Sequence, residues 1–226
     1  MHWIRRASRV AGLLAAILGV GGPMAAEAPA TGDAVSAAGA MIVPGISQRT
    51  LDWALRAYAR ARERGDVERP LVSIIDYALP STEKRLWVLD LEHGQVLFHE
   101  LVAHGRQSGD NEARAFSNIV GSHQSSLGVF RTGGDYWGEH GISLRLEGLE
   151  PGWNDRAMDR AIVLHGAPYV SEQFAERWGR IGRSFGCPAV RPAIADSLIR
   201  TIRQGTLLFA SYPDSAYAAG SAYVAQ

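Results

Sequence analysis

Between residues 71 and 211 the chain is a series of short apolar runs, each closed by glycine, proline, asparagine or serine, a pattern that suits strands far better than helices. The run 71–77 stops before Pro80. The runs 85–91 and 95–102 flank Glu92-His93-Gly94, the composition of a hairpin turn. Four more runs, 128–131, 142–146, 160–164 and 206–211, continue the series. Only 172–178 and 194–203 carry helical spacing in this stretch. A mainly β fold with a few helices follows, with no internal repeat and a domain spanning 70–212. Two connections are rich in glycine or in Asn and Ser, 105–128 and 133–141. The first is long for a structureless loop in a compact domain, and such loops usually serve function.

Upstream the pattern changes. At 47–66 an amphipathic helix is expected, running from about 48 to 64 with Ser47 as cap and Gly65 as stop. Leu51, Ala54, Leu55, Tyr58 and Ala61 share one face, which should dock on the domain. Residues 29–46 are rich in Ala, Gly, Pro and Ser and read as a linker. Residues 1–28 have the three parts of a secretory signal peptide: Arg5, Arg6 and Arg9, an uncharged apolar run from Val10 to Val20, and small residues around Ala26 and Ala28. That run falls short of the roughly 20 residues a spanning helix needs. The expectation is export to the periplasm with no stable membrane anchor after cleavage. At the other end, 213–226 reads as a flexible tail. With 23 basic and 23 acidic residues and no long basic run, nothing points to a nucleic-acid partner.

An exported chain with a single cysteine cannot form an internal disulfide. Cys187 is then either a reactive thiol or a small buried apolar residue, and the count does not decide. Its surroundings do. The apolar run Ala161-Ile162-Val163-Leu164 delivers His165-Gly166, and Arg183-Ser184-Phe185-Gly186-Cys187-Pro188-Ala189-Val190 follows. A histidine at a strand end can serve as base, and Gly166 permits a sharp exit. A thiol ahead of the helix at 194, near Arg183 and Arg191, should have a lowered pKa. The N–H groups of Gly186 and Cys187 could stabilise an oxyanion. Tyr136-Trp137-Gly138-Glu139-His140-Gly141 reads as a loop lining the cleft, with Tyr136 and His140 as substrate contacts and His104 as a weaker candidate. A zinc site from His104, His140, His165 and Cys187 would lack the usual close-spaced ligand pairs.

His165-Gly166 followed by Ser184-Phe185-Gly186-Cys187 resembles the signature of the L,D-transpeptidase catalytic domain, the YkuD-like fold. The longer context is similar to the divergent murein branch of that superfamily. It includes Arg85-Leu86-Trp87-Val88, Ser125-Ser126-Leu127-Gly128, His140-Gly141-Ile142-Ser143 and the segment from Gly182 to Val190. The resemblance covers about 71–211. It implies a two-step acyl transfer on peptidoglycan without metal or organic cofactor. Cys187 would attack a diaminopimelate carbonyl in a donor stem peptide, and an amine of an acceptor stem would resolve the thioester. His165 would act as base and then acid, oriented by the Gly166 carbonyl. A covalent carbapenem adduct on Cys187 is also implied. Two positions depart from the commoner motif: Phe185 stands where a second histidine is usual, and Ala189 where an arginine is. Arg183, Ser184 and Arg191 become the expected substrate-binding residues, with Arg183 or Arg191 taking the carboxylate. The same thioester resolved by water would make a carboxypeptidase or a peptidase releasing a wall-anchored protein. A noncatalytic wall-binding module that kept the fold is a third reading.

Overall fold

The computed structural model describes residues 43–225, so the expected leader and most of the expected linker lie outside the described residues. Ser47 caps α1 (Gln48–Glu63) by accepting a hydrogen bond from the Thr50 N–H, which satisfies one of the donors left open at a helix start. Its face of Leu51, Ala54, Leu55, Tyr58 and Ala61 is buried. That face packs on β1 (Leu71–Asp76) and β8 (Leu207–Ser211). A hydrogen bond of 2.9 Å from the Thr50 hydroxyl to Asp76 pins the helix to the end of β1.

Between these strands run β2 (Leu86–Asp90), β3 (Gln95–Glu100), β4 (Gly128–Gly138), β5 (Gly141–Gly148), β6 (Val163–Gly166) and β7 (Ala189–Val190). All eight form one sheet in the order β3-β2-β1-β8-β4-β5-β6-β7. The pairs β1–β8 and β6–β7 are parallel and the others antiparallel. Beyond β3 the chain reaches back to the opposite end of this order. The Ala103 N–H donates to the Ala189 carbonyl at 2.8 Å, so the sheet nearly closes into a barrel. Every residue of β1 and β8 is buried, and their continuous apolar runs show it, since strands covered on both faces lose the alternating pattern. A further helix, α3 (Pro192–Ile202), packs on β4, β5 and β6 and buries Ala195, Leu198, Ile199 and Ile202. It begins two residues earlier than its apolar spacing indicates, because Pro192 occupies the first helical turn, where its missing N–H costs nothing. The short α2 (Glu172–Trp178) is capped by Ser171 and ended by Gly179 in the left-handed region.

Three expectations need correction. The glycine-rich stretch 133–141 is not a connection but the far half of β4 and the turn into β5, with a register shift between Thr132 and Asp135. Asp135 is held there by Arg203 at 3.0 Å, and Tyr136 lies under the Arg145 guanidinium. Residues 160–162 end a run of turns, so β6 starts only at Val163, and Ala161 adopts φ 51°. The third correction concerns the expected flexible tail. It contains α4 (Ser215–Gly220) and buries Tyr217, Tyr223 and Val224. The Tyr217 and Ser221 hydroxyls donate to the buried Glu150 carboxylate, which also accepts the Val129 N–H at 2.7 Å. Burial pushes the Glu150 pKa up, and these three donors oppose it. Among the described residues no helix is long and apolar enough to cross a membrane.

Candidate active site

His165 lies within β6 rather than beyond it, paired with Ser143 of β5 on one side and Ala189 of β7 on the other. Its Nδ1 is 2.9 Å from the Gly166 carbonyl. A carbonyl only accepts, so Nδ1 carries the hydrogen and Nε2 is left as the basic nitrogen. His140, in the turn between β4 and β5, stacks on the ring with centroids 4.5 Å apart and planes 24° apart. Burial pushes the His165 pKa down, the Gly166 carbonyl raises it, and His140 lowers it again. The neutral form of the imidazole is therefore favoured.

Cys187 follows a turn that only glycine fits well. Gly186 has φ 125°, and a Cβ there would lie 2.8 Å from the Gln124 carbonyl oxygen. Ser184 ties this turn together: its hydroxyl donates to the Cys187 carbonyl at 2.6 Å and accepts the Gly186 N–H at 3.0 Å. The Gly186 amide is thus engaged inside the protein, which corrects its expected role as an oxyanion donor. The Cys187 N–H has no acceptor among the described residues except its own sulfur. The thiol approaches the Ala161 carbonyl at 3.7 Å. Burial pushes the Cys187 pKa up, and the Val163 N–H and the Arg160 guanidinium oppose this only in part, so the net shift is upward and not the lowering expected from the sequence.

The expected cause of thiol activation is absent. Strand β7 separates Cys187 from α3. Arg191 is turned away into a two-pronged ion pair with Glu100, at 2.6 and 2.8 Å, and takes no part in the cleft. Arg183 does line the cleft, but its guanidinium meets Asp110 at 2.9 Å and the Gly109 carbonyl at 2.8 Å. His104 is elsewhere: it is fully buried, its Nδ1 2.7 Å from Arg85, and burial together with that cation pushes its pKa down to about 4. Ser125, by contrast, lies beneath the site, accepting the Gly105 N–H and donating to the Gly186 carbonyl.

Cys187, His165, His140, Tyr136, Arg183 and Ser184 are brought together around one cleft of about 350 Å³. Two further residues of the site escape sequence reading. Tyr169 lines the cleft, with burial and the nearby Cys187 raising its pKa to about 12. The only sequence trace of it is Gly182, where any Cβ would run into the Tyr169 side chain. Arg160 reaches under the Cys187 turn from the segment before β6. Phe185 is 62% exposed at the rim, its ring 4.5 Å from the Arg106 guanidinium and 4.6 Å from His123. A second cleft of about 450 Å³ opens on the other side of His140 and shares Glu139 with the first. The described residues contain no group of three or more side chains arranged to hold a metal ion.

A family model described as the L,D-transpeptidase catalytic domain matches residues 43–211. No curated protein matches the chain. Similar solved structures include an L,D-transpeptidase from Mycobacterium smegmatis, at 13% identity over 63% of this chain and 59% of that one, with a TM-score of 0.40. Another, from Xylanimonas cellulosilytica, is 17% identical over 79% of this chain and 89% of its own, with a TM-score of 0.37. A third is an L,D-transpeptidase in complex with imipenem, 13% identical over 63% of this chain and 59% of that one, with a TM-score of 0.39. The chain therefore spans about 59% of the mycobacterial structure it matches.

Proposed function

We propose, from the premise that the chain belongs to the L,D-transpeptidase catalytic-domain family, that it joins peptidoglycan stem peptides through a thioester on Cys187. One observation carries the reading. The single cysteine of the chain shares a cleft with a histidine whose Nδ1 is anchored on a backbone carbonyl, leaving Nε2 free to accept a proton.

In the first step His165 Nε2 takes the Cys187 proton, and the sulfur attacks the carbonyl of a donor diaminopimelate. The Cys187 N–H donates to the oxyanion. Collapse breaks the peptide bond, and the imidazolium returns its proton to the departing amine. In the second step the acceptor amine attacks the thioester, His165 takes its proton, and the thiol is restored as the new amide forms. The Gly166 carbonyl plays the orienting part that a carboxylate plays in a Ser-His-Asp triad. Two clefts meeting at His140 favour transfer over hydrolysis, because each of two peptides then has a place to lie.

The same reading includes export to the periplasm by the 1–28 leader and acylation of Cys187 by carbapenems, in keeping with the imipenem complex of a family relative. Incubating the 29–226 protein with defined muropeptides, followed by mass spectrometry, tests it. New dimers made by wild type and not by Cys187→Ala are expected. Trimmed monomers alone would move the assignment to a carboxypeptidase. No product from a folded wild-type protein, whatever the acceptor, would move it to a noncatalytic wall-binding module.

A further inference from the structure

Arg160 is half-buried and makes four hydrogen bonds, every one to an uncharged oxygen. Nη1 donates to the Ser117 carbonyl and the Ser126 hydroxyl, and Nη2 to the Ser122 hydroxyl and the Gln124 carbonyl. These partners all lie on the long 105–128 connection. No carboxylate among the described residues acts on Arg160, so its charge is not neutralised by an ion pair. That guanidinium sits directly under the turn that carries the thiol: a Cβ on Gly186 would be 3.2 Å from Nη2. The two residues after Arg160 complete the arrangement. The bend at Ala161, φ 51°, points its carbonyl at the Cys187 sulfur, and Ile162 packs beside Gly186.

We propose that Arg160 is the positioning residue that eases ionisation of the Cys187 thiol, by placing an uncompensated positive charge beneath the Gly186–Cys187 turn. The equilibrium it shifts is simple: the S–H proton leaves to His165 or to water, and the sulfur keeps the electron pair. The Val163 N–H also favours the thiolate, and more strongly, but it is part of the backbone; among the side chains around the thiol the others supply less. His165 faces it from the sheet, where burial favours the neutral ring, and His140 stacks on His165. Glu139, from the same turn, would oppose ionisation. Tyr169 faces it from the segment after β6, and Tyr77 from the end of β1; both are neutral phenols with raised pKa values. Arg183 approaches from the preceding residues, already paired with Asp110. Arg85, deeper, stacks on Tyr77 and donates to carbonyls and His104. Desolvation opposes the thiolate, and Arg160 is the cation that works against it. In this chain it also does something for the site that Phe185 cannot, since an aromatic ring carries no charge.

The inference rests on the proposed role of Cys187 as nucleophile, but its test needs no peptide. With one cysteine in the chain, the pH dependence of alkylation by iodoacetamide reads Cys187 alone, and ultraviolet thiolate absorbance checks it. Arg160→Gln should raise the midpoint by about one pH unit, roughly a tenfold loss of thiolate at neutral pH. Arg160→Lys, which keeps the charge but loses the fork of hydrogen bonds, should restore most of the shift. An unchanged midpoint in Arg160→Gln overturns the proposal. So does a shift as large in Arg160→Lys, because the hydrogen bonds to the loop would then be the cause. If circular dichroism shows that Arg160→Gln does not fold, Arg160→Met is measured in its place against the same two outcomes. A midpoint shift in a protein that makes no muropeptide dimers would sustain the inference while refuting transpeptidation.

Discussion

His104 should make the protein acid-sensitive in a way that one substitution removes. It is fully buried, and its Nδ1 accepts a hydrogen bond from Arg85, itself buried. Protonating it would set a second cation against the first, and burial with that cation pushes its pKa down from 6.5 to about 4. The sign follows from which state binds the proton. Above pH 6.5 the ring is neutral in both states and the full stability is present. Between pH 6.5 and 4 the unfolded chain takes a proton and the native protein does not, so stability falls as pH falls. The whole interval corresponds to roughly 3 kcal/mol, a large part of a typical domain's 5–15 kcal/mol. Urea unfolding at pH 7, 5.5 and 4 measures it in wild type and in His104→Asn, whose side-chain oxygen can replace Nδ1 as acceptor for Arg85. The variant should be less stable at pH 7 yet lose roughly 3 kcal/mol less on going to pH 4. An equal fall in both proteins would refute the reasoning.

Three other outcomes are expected. Because His165 is held neutral below the ordinary imidazole range, the acid limb of activity should lie below pH 6.5, and His140→Gln should move it upward by removing a neighbouring charge; a pH–rate profile of both proteins decides. His165→Gln should cost about 10²–10⁴ in turnover with the fold intact by circular dichroism. Tyr217→Ala should destabilise by roughly 3–5 kcal/mol, as deletion of a buried aromatic does, and Tyr217→Phe by about 1 kcal/mol for its bond to Glu150. Thermal melts separate the two, and a neutral Tyr217→Ala would restore the picture of a loose tail.

What sequence made legible was what local chemistry dictates. Ser47 and the apolar stripe define α1 within the residues that form it, and the turn at Glu92-His93-Gly94 sets the β2–β3 hairpin. The His165–Gly166 and Gly186–Cys187 pieces lie in short signatures, so the cleft's two central side chains could be named in advance. Apart from the Gly186 amide, taken by Ser184 two residues away, and the local bend at Ala161, the misses depend on partners far along the chain. Gly133 and Gly134 resemble a turn until Arg203, 68 residues away, fixes Asp135. Arg191 resembles a substrate anchor until Glu100, 91 residues away, claims it. The C-terminal segment resembles a fray until Glu150 binds Tyr217 across 67 positions. Arg160 belongs to this group, since its work depends on a loop that begins to meet it 43 residues upstream.

The central claim is that Cys187 carries the acyl group. Intact-protein mass spectrometry after brief exposure to a tetrapeptide stem, followed by peptide mapping, tests it most directly. The account predicts an adduct of the donor acyl mass on the peptide containing Cys187, released by hydroxylamine as a thioester and missing from Cys187→Ala. An unmodified Cys187 in protein that is turning over substrate, or an adduct on another residue, would contradict it.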